Sequence, residues 1–266
     1  MTGNNSKFEA LVRAGYFSRA ILYTVLGLIA LFSAGKIAQG TDGIFTAIRE
    51  APAGQFILWF LVLGFFAYGL FRLASPVFDI ENSGSDAKGW ATRLGHLGSA
   101  IGHFALAYTA YKFATAGGDN GNGAQQAASG VLSMPAGGVV LGLLGLAFFV
   151  AAAQQARKSL SGDFMHRISP RAPAFTKTLG TIGLLARAVV FAVIGWSLFR
   201  AGFFSAGATQ IKTLGEAVAS LADDGIVFTL VAIGLLIFGV FSAILARYAI
   251  VPDLDAKAKI PAYRLS

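Results

Sequence analysis

The stretch Arg13-Ala14-Gly15-Tyr16-Phe17-Ser18-Arg19-Ala20-Ile21-Leu22-Tyr23, running on to Gly27, decides the fold because the chain carries it three times. The second version reads Arg93-Leu94-Gly95-His96-Leu97-Gly98-Ser99-Ala100-Ile101-Gly102-His103 and ends at Ala107. The third reads Thr181-Ile182-Gly183-Leu184-Leu185-Ala186-Arg187-Ala188-Val189-Val190-Phe191 and ends at Gly195. Gly15, Gly95 and Gly183 align, and the ring position reads Tyr23, His103 and Phe191. None of the apolar runs they open alternates with the period of a strand, so each is read as a helix. A second apolar run follows every copy, behind a short amphipathic segment (residues 43–48, 126–132 and 213–221) and a turn. The turns are Pro52-Ala53-Gly54, Pro135-Ala136-Gly137 and Asp223-Asp224-Gly225, residues that mark helix ends.

Composition says where such helices live. Of 266 residues, 55% are hydrophobic and 13% charged, against about 45–50% and about 25% in soluble domains. So few charges cannot cover a water-facing surface, which excludes a cytosolic enzyme or a secreted domain. The absence of cysteine removes disulfides, thiolate metal sites and cysteine nucleophiles, and three His leave little room for metal or haem chemistry. A spanning helix needs about 20 apolar residues. Six stretches qualify, near residues 14–34, 50–72, 93–112, 134–156, 178–199 and 224–247. The first has the flanks of a signal peptide, but its recurrence inside the chain marks it as a retained span. Two spans per copy make all copies parallel, related by an axis along the membrane normal. The expected fold is therefore all-α: six transmembrane helices in three parallel two-helix repeats around a pseudo-threefold axis. The repeats cover residues 1–75, 76–157 and 158–250, with a tail at 251–266.

Lys and Arg placement orients it. About 15 basic residues fall on the side of the N-terminus, the loops near 75–92 and 157–177, and the tail; about five (Lys36, Arg49, Lys112, Arg200, Lys212) fall on the other. That bias predicts a multi-pass inner (plasma) membrane protein with both termini cytoplasmic. The net charge of +8 then serves topology and contact with anionic lipid at the cytoplasmic leaflet. The basic loop holding His166 and Pro170 has no aromatic interleaving, so no nucleic-acid partner is expected.

The pattern Arg13-x-Gly15-Tyr16-x-x-Arg19-x-x-x-Tyr23-x-x-x-Gly27, in three two-helix copies, resembles the bacterial domain of unknown function 1206. The resemblance covers nearly the whole chain. It implies a triplicated two-span membrane unit and brings no activity with it. The middle copy departs from it with Ser99 and Ala107, and the third with Phe191, which argues against a strictly symmetric site.

Ionisable residues inside spans are functional candidates by default. Here they are Arg19, Arg187 and His103, and no Asp or Glu falls within any expected span, which disfavours proton-coupled transport. Arg19 lies about 24 Å of helix from Lys36, hence roughly 5 Å inside the hydrocarbon. There it either snorkels to lipid phosphates or points inward and binds an anion. Arg19 with Tyr23, Ser99 with His103 and Arg187 with Phe191 are i, i+4 pairs. The candidate ligand or anion site is therefore Arg19, Tyr23, Ser99, His103 and Arg187. His96 and His103, about 10 Å apart along one face, suit neither one metal nor bis-His haem. No metal site, cofactor or catalytic set is expected. Gly98-x-x-x-Gly102 and Gly138-x-x-x-Gly142 are read as close-approach motifs. The expectation is a non-catalytic module that binds a lipid or lipophile or scaffolds a membrane-protein partner or a second copy. The alternative is a pore or transporter for a small solute or anion along the axis.

Overall fold

A computed structural model describes residues 3–32, 40–77, 87–116, 123–204 and 206–251. Lys36, the glycine-rich loop at 117–122, most of the 76–90 linker and the tail beyond 251 lie outside the described residues. Each copy is a long helix, a short helix and a second long helix. The first copy is α1 (Gly3–Phe32), α2 (Gly40–Glu50) and α3 (Gly54–Val77); the middle copy is α4 (Ala87–Ala116), α5 (Gly123–Leu132) and α6 (Gly137–Ser161). The third is α7 (Thr176–Phe203), α8 (Leu214–Ala219) and α9 (Gly225–Tyr248). The short amphipathic segments are thus the short helices. Among the described residues, five helices are long and apolar enough to cross a membrane, over Val12–Phe32, Gly54–Ala74, Gly137–Ser161, Thr176–Phe203 and Gly225–Tyr248. The remaining long helix, α4, has 30 residues but is broken by Arg93, His96, Ser99, His103 and Lys112.

The turns repeat as well as the helices. Ala53 and Ala136 both hold the left-handed backbone region, at φ 60° and 61°, where an L-residue pays about 1–2 kcal/mol. The glycine after each leads directly into the next long helix. The third copy has Asp224 here instead, whose carboxylate accepts a hydrogen bond from the Val227 N–H at 3.1 Å. A side-chain cap thus starts α9 without the strained turn.

Packing follows a fixed order. The second long helix of each copy lies on the first long helix of the next: α3 on α4, α6 on α7, and α9 on α1. Within copies, α1 packs on α3 and α7 on α9, whereas α4 and α6 pair with α3 and α7 rather than with one another. Glycines set these distances. A Cβ at Gly15 would overlap the Tyr68 side chain, one at Gly183 would lie 2.7 Å from Phe238 Cα, and one at Gly27 would lie 2.7 Å from Leu236 N. Gly138 approaches the Gly202 carbonyl in the same way, so that motif does bring α6 onto α7. The Gly98-x-x-x-Gly102 motif does not: a Cβ at either position meets nothing within 4 Å among the described residues.

One end of the bundle is clasped. The 3-10 turn Asp163–Arg167 leads into an antiparallel bridge between Ile168 and Ala249. The Ser169 N–H donates to the Tyr248 carbonyl at 2.8 Å, and the Ile250 N–H to the Arg167 carbonyl at 2.9 Å. Arg13, ion-paired with Glu9 at 2.6 Å, donates to the Ala246 carbonyl at 2.8 Å. A cation on the last carbonyls of α9 also complements its helix dipole.

Gly27→Ala is expected to lower stability by about 1–3 kcal/mol, because the helix backbones must separate. Gly98→Ala, in open space, is expected to be neutral or stabilising by up to about 1 kcal/mol through helix propensity. Thermal unfolding of both variants in mild detergent checks the contrast.

Candidate anion-binding cavity

Tyr16, Arg19 and Tyr23 follow one another at three- and four-residue spacing and share one face of α1. Tyr68 and Arg72, four apart on α3, meet that face. Tyr68 is buried, at 1% exposure, and its hydroxyl accepts from Arg72 Nη2 at 2.9 Å and from Arg19 Nη1 at 3.2 Å. Its ring packs against Tyr16 at 5.6 Å between centroids and against His103 of α4 at 4.6 Å. His103 Nδ1 lies 2.7 Å from the Ser99 carbonyl, which can only accept, so the Nδ1 nitrogen carries the proton in that bond.

The second arginine sits behind the first. The Arg187 guanidinium lies 4.8 Å from the ring centres of both Phe191 and Phe238 and 5.6 Å from that of Tyr23. Arg19 lies 5.2 Å from the same Phe238 ring, which meets Tyr23 edge to face at 4.7 Å. Arg187 Nε is buried without a hydrogen-bond partner, and neither Arg19 nor Arg187 forms an ion pair among the described residues. A cation–π contact is worth about 0.5–2 kcal/mol, whereas taking an ion out of water costs several kcal/mol. Aromatic faces alone therefore do not offset the desolvation of Arg187, whereas Arg19 is only half-buried and lines open space.

Beside this network, at the clasped end, is a cavity of about 370 Å³, within the size range of small-ligand sites. Its charged lining is Arg19 of α1, Arg72 of α3, Lys158 of α6, and Asp163 and Arg167 of the clasp turn. Tyr16 adds a hydroxyl, and Phe71, Phe238 and Phe241 supply apolar wall. Four cations against one carboxylate make it a positively charged pocket.

Of the residues singled out in the sequence, Arg19 lines the cavity, while Tyr23 and Arg187 stand behind it around Phe238. His103 joins through Tyr68, and Ser99 takes part through its carbonyl. Of the three i, i+4 pairs, Arg187 lies over Phe191 and His103 bonds back to Ser99, whereas Arg19 lies over Tyr16, Tyr68 and Phe238. Sequence reasoning did not place Phe238, Tyr68 or Arg72 in the site, and it assigned the basic stretch of Lys158 and Arg167 to topology and anionic-lipid contact. The available signal was the four-residue spacing of Tyr68 and Arg72, which places a phenol and a cation on one face.

Triplicated long apolar helices are the marks of a membrane-associated repeat protein. The family Domain of Unknown Function (DUF1206) matches three times, over residues 14–79, 94–162 and 182–249, and the chain belongs to that family. It is also similar to the "Uncharacterized protein YxxB" of Bacillus subtilis (strain 168), at 27% identity over 246 residues and 89% of each chain. No solved structure matches.

Tyr68→Phe removes the oxygen shared by Arg19 and Arg72 and is expected to cost about 1.5–3 kcal/mol, as for hydrogen bonds to charged groups. Thermal unfolding in mild detergent reads the loss.

Proposed function

We propose that the protein is a non-catalytic, multi-pass module of the bacterial plasma membrane that holds the phosphate of an anionic lipid in the cavity lined by Arg19, Arg72, Lys158 and Arg167. The observation that carries this reading is the charge of that lining, four cations to one acid in an apolar setting. Phosphate oxygens accept the charge-assisted hydrogen bonds that guanidinium groups offer. The positive-inside bias puts the clasped end, with Arg157, Lys158, Arg167, Arg171 and Lys177, at the cytoplasmic leaflet. Anionic headgroups are concentrated there.

In this reading all six long helices span in a pseudo-threefold arrangement, supported by described contacts that run in the order α4–α3–α1–α9–α7–α6 and stay open between the two ends. Conduction along its axis is the weaker alternative. Phe238, Tyr68 and Tyr23 fill the layer beside the cavity, and Leu22, Leu26, Phe65 and Leu235 of the same core are almost fully buried. A continuous polar lining of the kind that conducts ions has no support there.

Native mass spectrometry of the protein extracted in mild detergent from phosphatidylglycerol-containing membranes tests the proposal. A retained phosphatidylglycerol adduct is expected, falling about tenfold or more in Arg19→Gln/Arg167→Gln, a loss of about 1.4 kcal/mol. Equal retention by both proteins refutes it. So does anion flux through wild-type proteoliposomes that the substitutions abolish.

A further inference from the structure

We infer that the middle copy forms a lateral opening between α4 and α6, through which the acyl chains of the bound lipid leave the protein. This rests on the lipid reading of the cavity. In the first and third copies the glycine of the repeated pattern seats the second long helix of its own copy, Gly15 against Tyr68 of α3 and Gly183 against Phe238 of α9. Gly95 is the equivalent residue of the middle copy, and a Cβ there would meet nothing within 4 Å. Gly98 and Gly102 continue the same helical stripe and are equally open. The helix that belongs on this stripe, α6, is drawn away onto α7 by Gly138, Gly142 and Gly145, and by reciprocal hydrogen bonds between Ser159 and Thr181. Only 28% of its span is buried inside the protein, against 39–50% for the other four candidate spans.

By repeat position the opening falls at the level of Arg19, which lines the cavity. Repeat alignment sets Gly95 level with Gly15 and Ser99 level with Arg19, and Lys158 at the end of α6 reaches the cavity wall. A cavity of about 370 Å³ accommodates a glycerophosphate headgroup but not two chains that each cross half of a core about 30 Å thick. Those chains need an apolar exit at headgroup depth. The lack of packing between α4 and α6 among the described residues supplies one, and exposed Leu94 and Ile101 on α4 and Leu146 and Val150 on α6 keep these helices apolar.

Gly98→Leu/Gly102→Leu adds bulk at two positions where a Cβ meets no described atom within 4 Å, and Gly98→Ala/Gly102→Ala is the control too small to fill the opening. Each protein is extracted from phosphatidylglycerol-containing vesicles and weighed by native mass spectrometry, and its Tm shift with sn-glycerol 3-phosphate, a headgroup without chains, is recorded. The Leu pair is expected to lose the phosphatidylglycerol adduct about tenfold while the Ala pair keeps it, with glycerol phosphate raising Tm equally in all three. Wild-type retention by the Leu pair overturns the opening and leaves the headgroup site standing. If wild type shows neither adduct nor glycerol phosphate shift, the headgroup site itself fails. A polypeptide adduct or dimer in wild type that the Leu pair loses assigns the opening to a helix and overturns the lipid chain.

Discussion

Two guanidinium groups within an apolar helical bundle, with no described carboxylate to pair with, constrain everything around them. Arg19 and Arg187 share the face of Phe238, and Arg19 also leans on the hydroxyl of a buried tyrosine. Each aromatic contact recovers only part of what desolvation costs. The described protein groups therefore leave part of that cost unmet, which is the ground for the proposed anion beside Arg19. The cationic cavity beside Arg19 is where such an anion fits, and the clasp turn brings Arg167 to the same place.

The repeated pattern has a structural meaning at nearly every position. Arg13 caps the carbonyls of α9, Gly15 admits Tyr68, Tyr16 and Arg19 surround that tyrosine, Tyr23 meets Phe238, and Gly27 admits the backbone of α9. Gly15, Tyr16 and Arg19 join the two long helices of the first copy, while Arg13, Tyr23 and Gly27 join α1 to α9 of the third, so the pattern serves both packing within a copy and assembly of the copies. The same glycine serves a contact within the first and third copies and none in the middle one. That loss of symmetry is where the architecture departs from three equal hairpins.

The fold was largely legible in the sequence because its two signals are local: apolar runs of spanning length, and a pattern that recurs with its glycines in register. The short helices and their turns were legible for the same reason. The site was legible only in part. Arg19, Arg187 and His103 stand out as charges or titratable groups in apolar runs. Phe238 and Tyr68, which join them, look like ordinary core residues until α3 and α9 are placed. The cavity was hidden further, since Lys158 and Arg167 sit in a basic stretch whose topological role already accounts for its charge. The Gly98-x-x-x-Gly102 motif misled because glycine spacing records the capacity for close approach, not the presence of a neighbour.

Central to this account is a guanidinium–phosphate contact at Arg19. Solid-state NMR of the protein in phosphatidylglycerol vesicles, with its arginine side chains labelled with ¹⁵N, reads it through dipolar dephasing between nitrogen and lipid phosphorus. The account predicts dephasing above that of surface arginines, lost in Arg19→Gln/Arg167→Gln. Identical dephasing in the two proteins would contradict it.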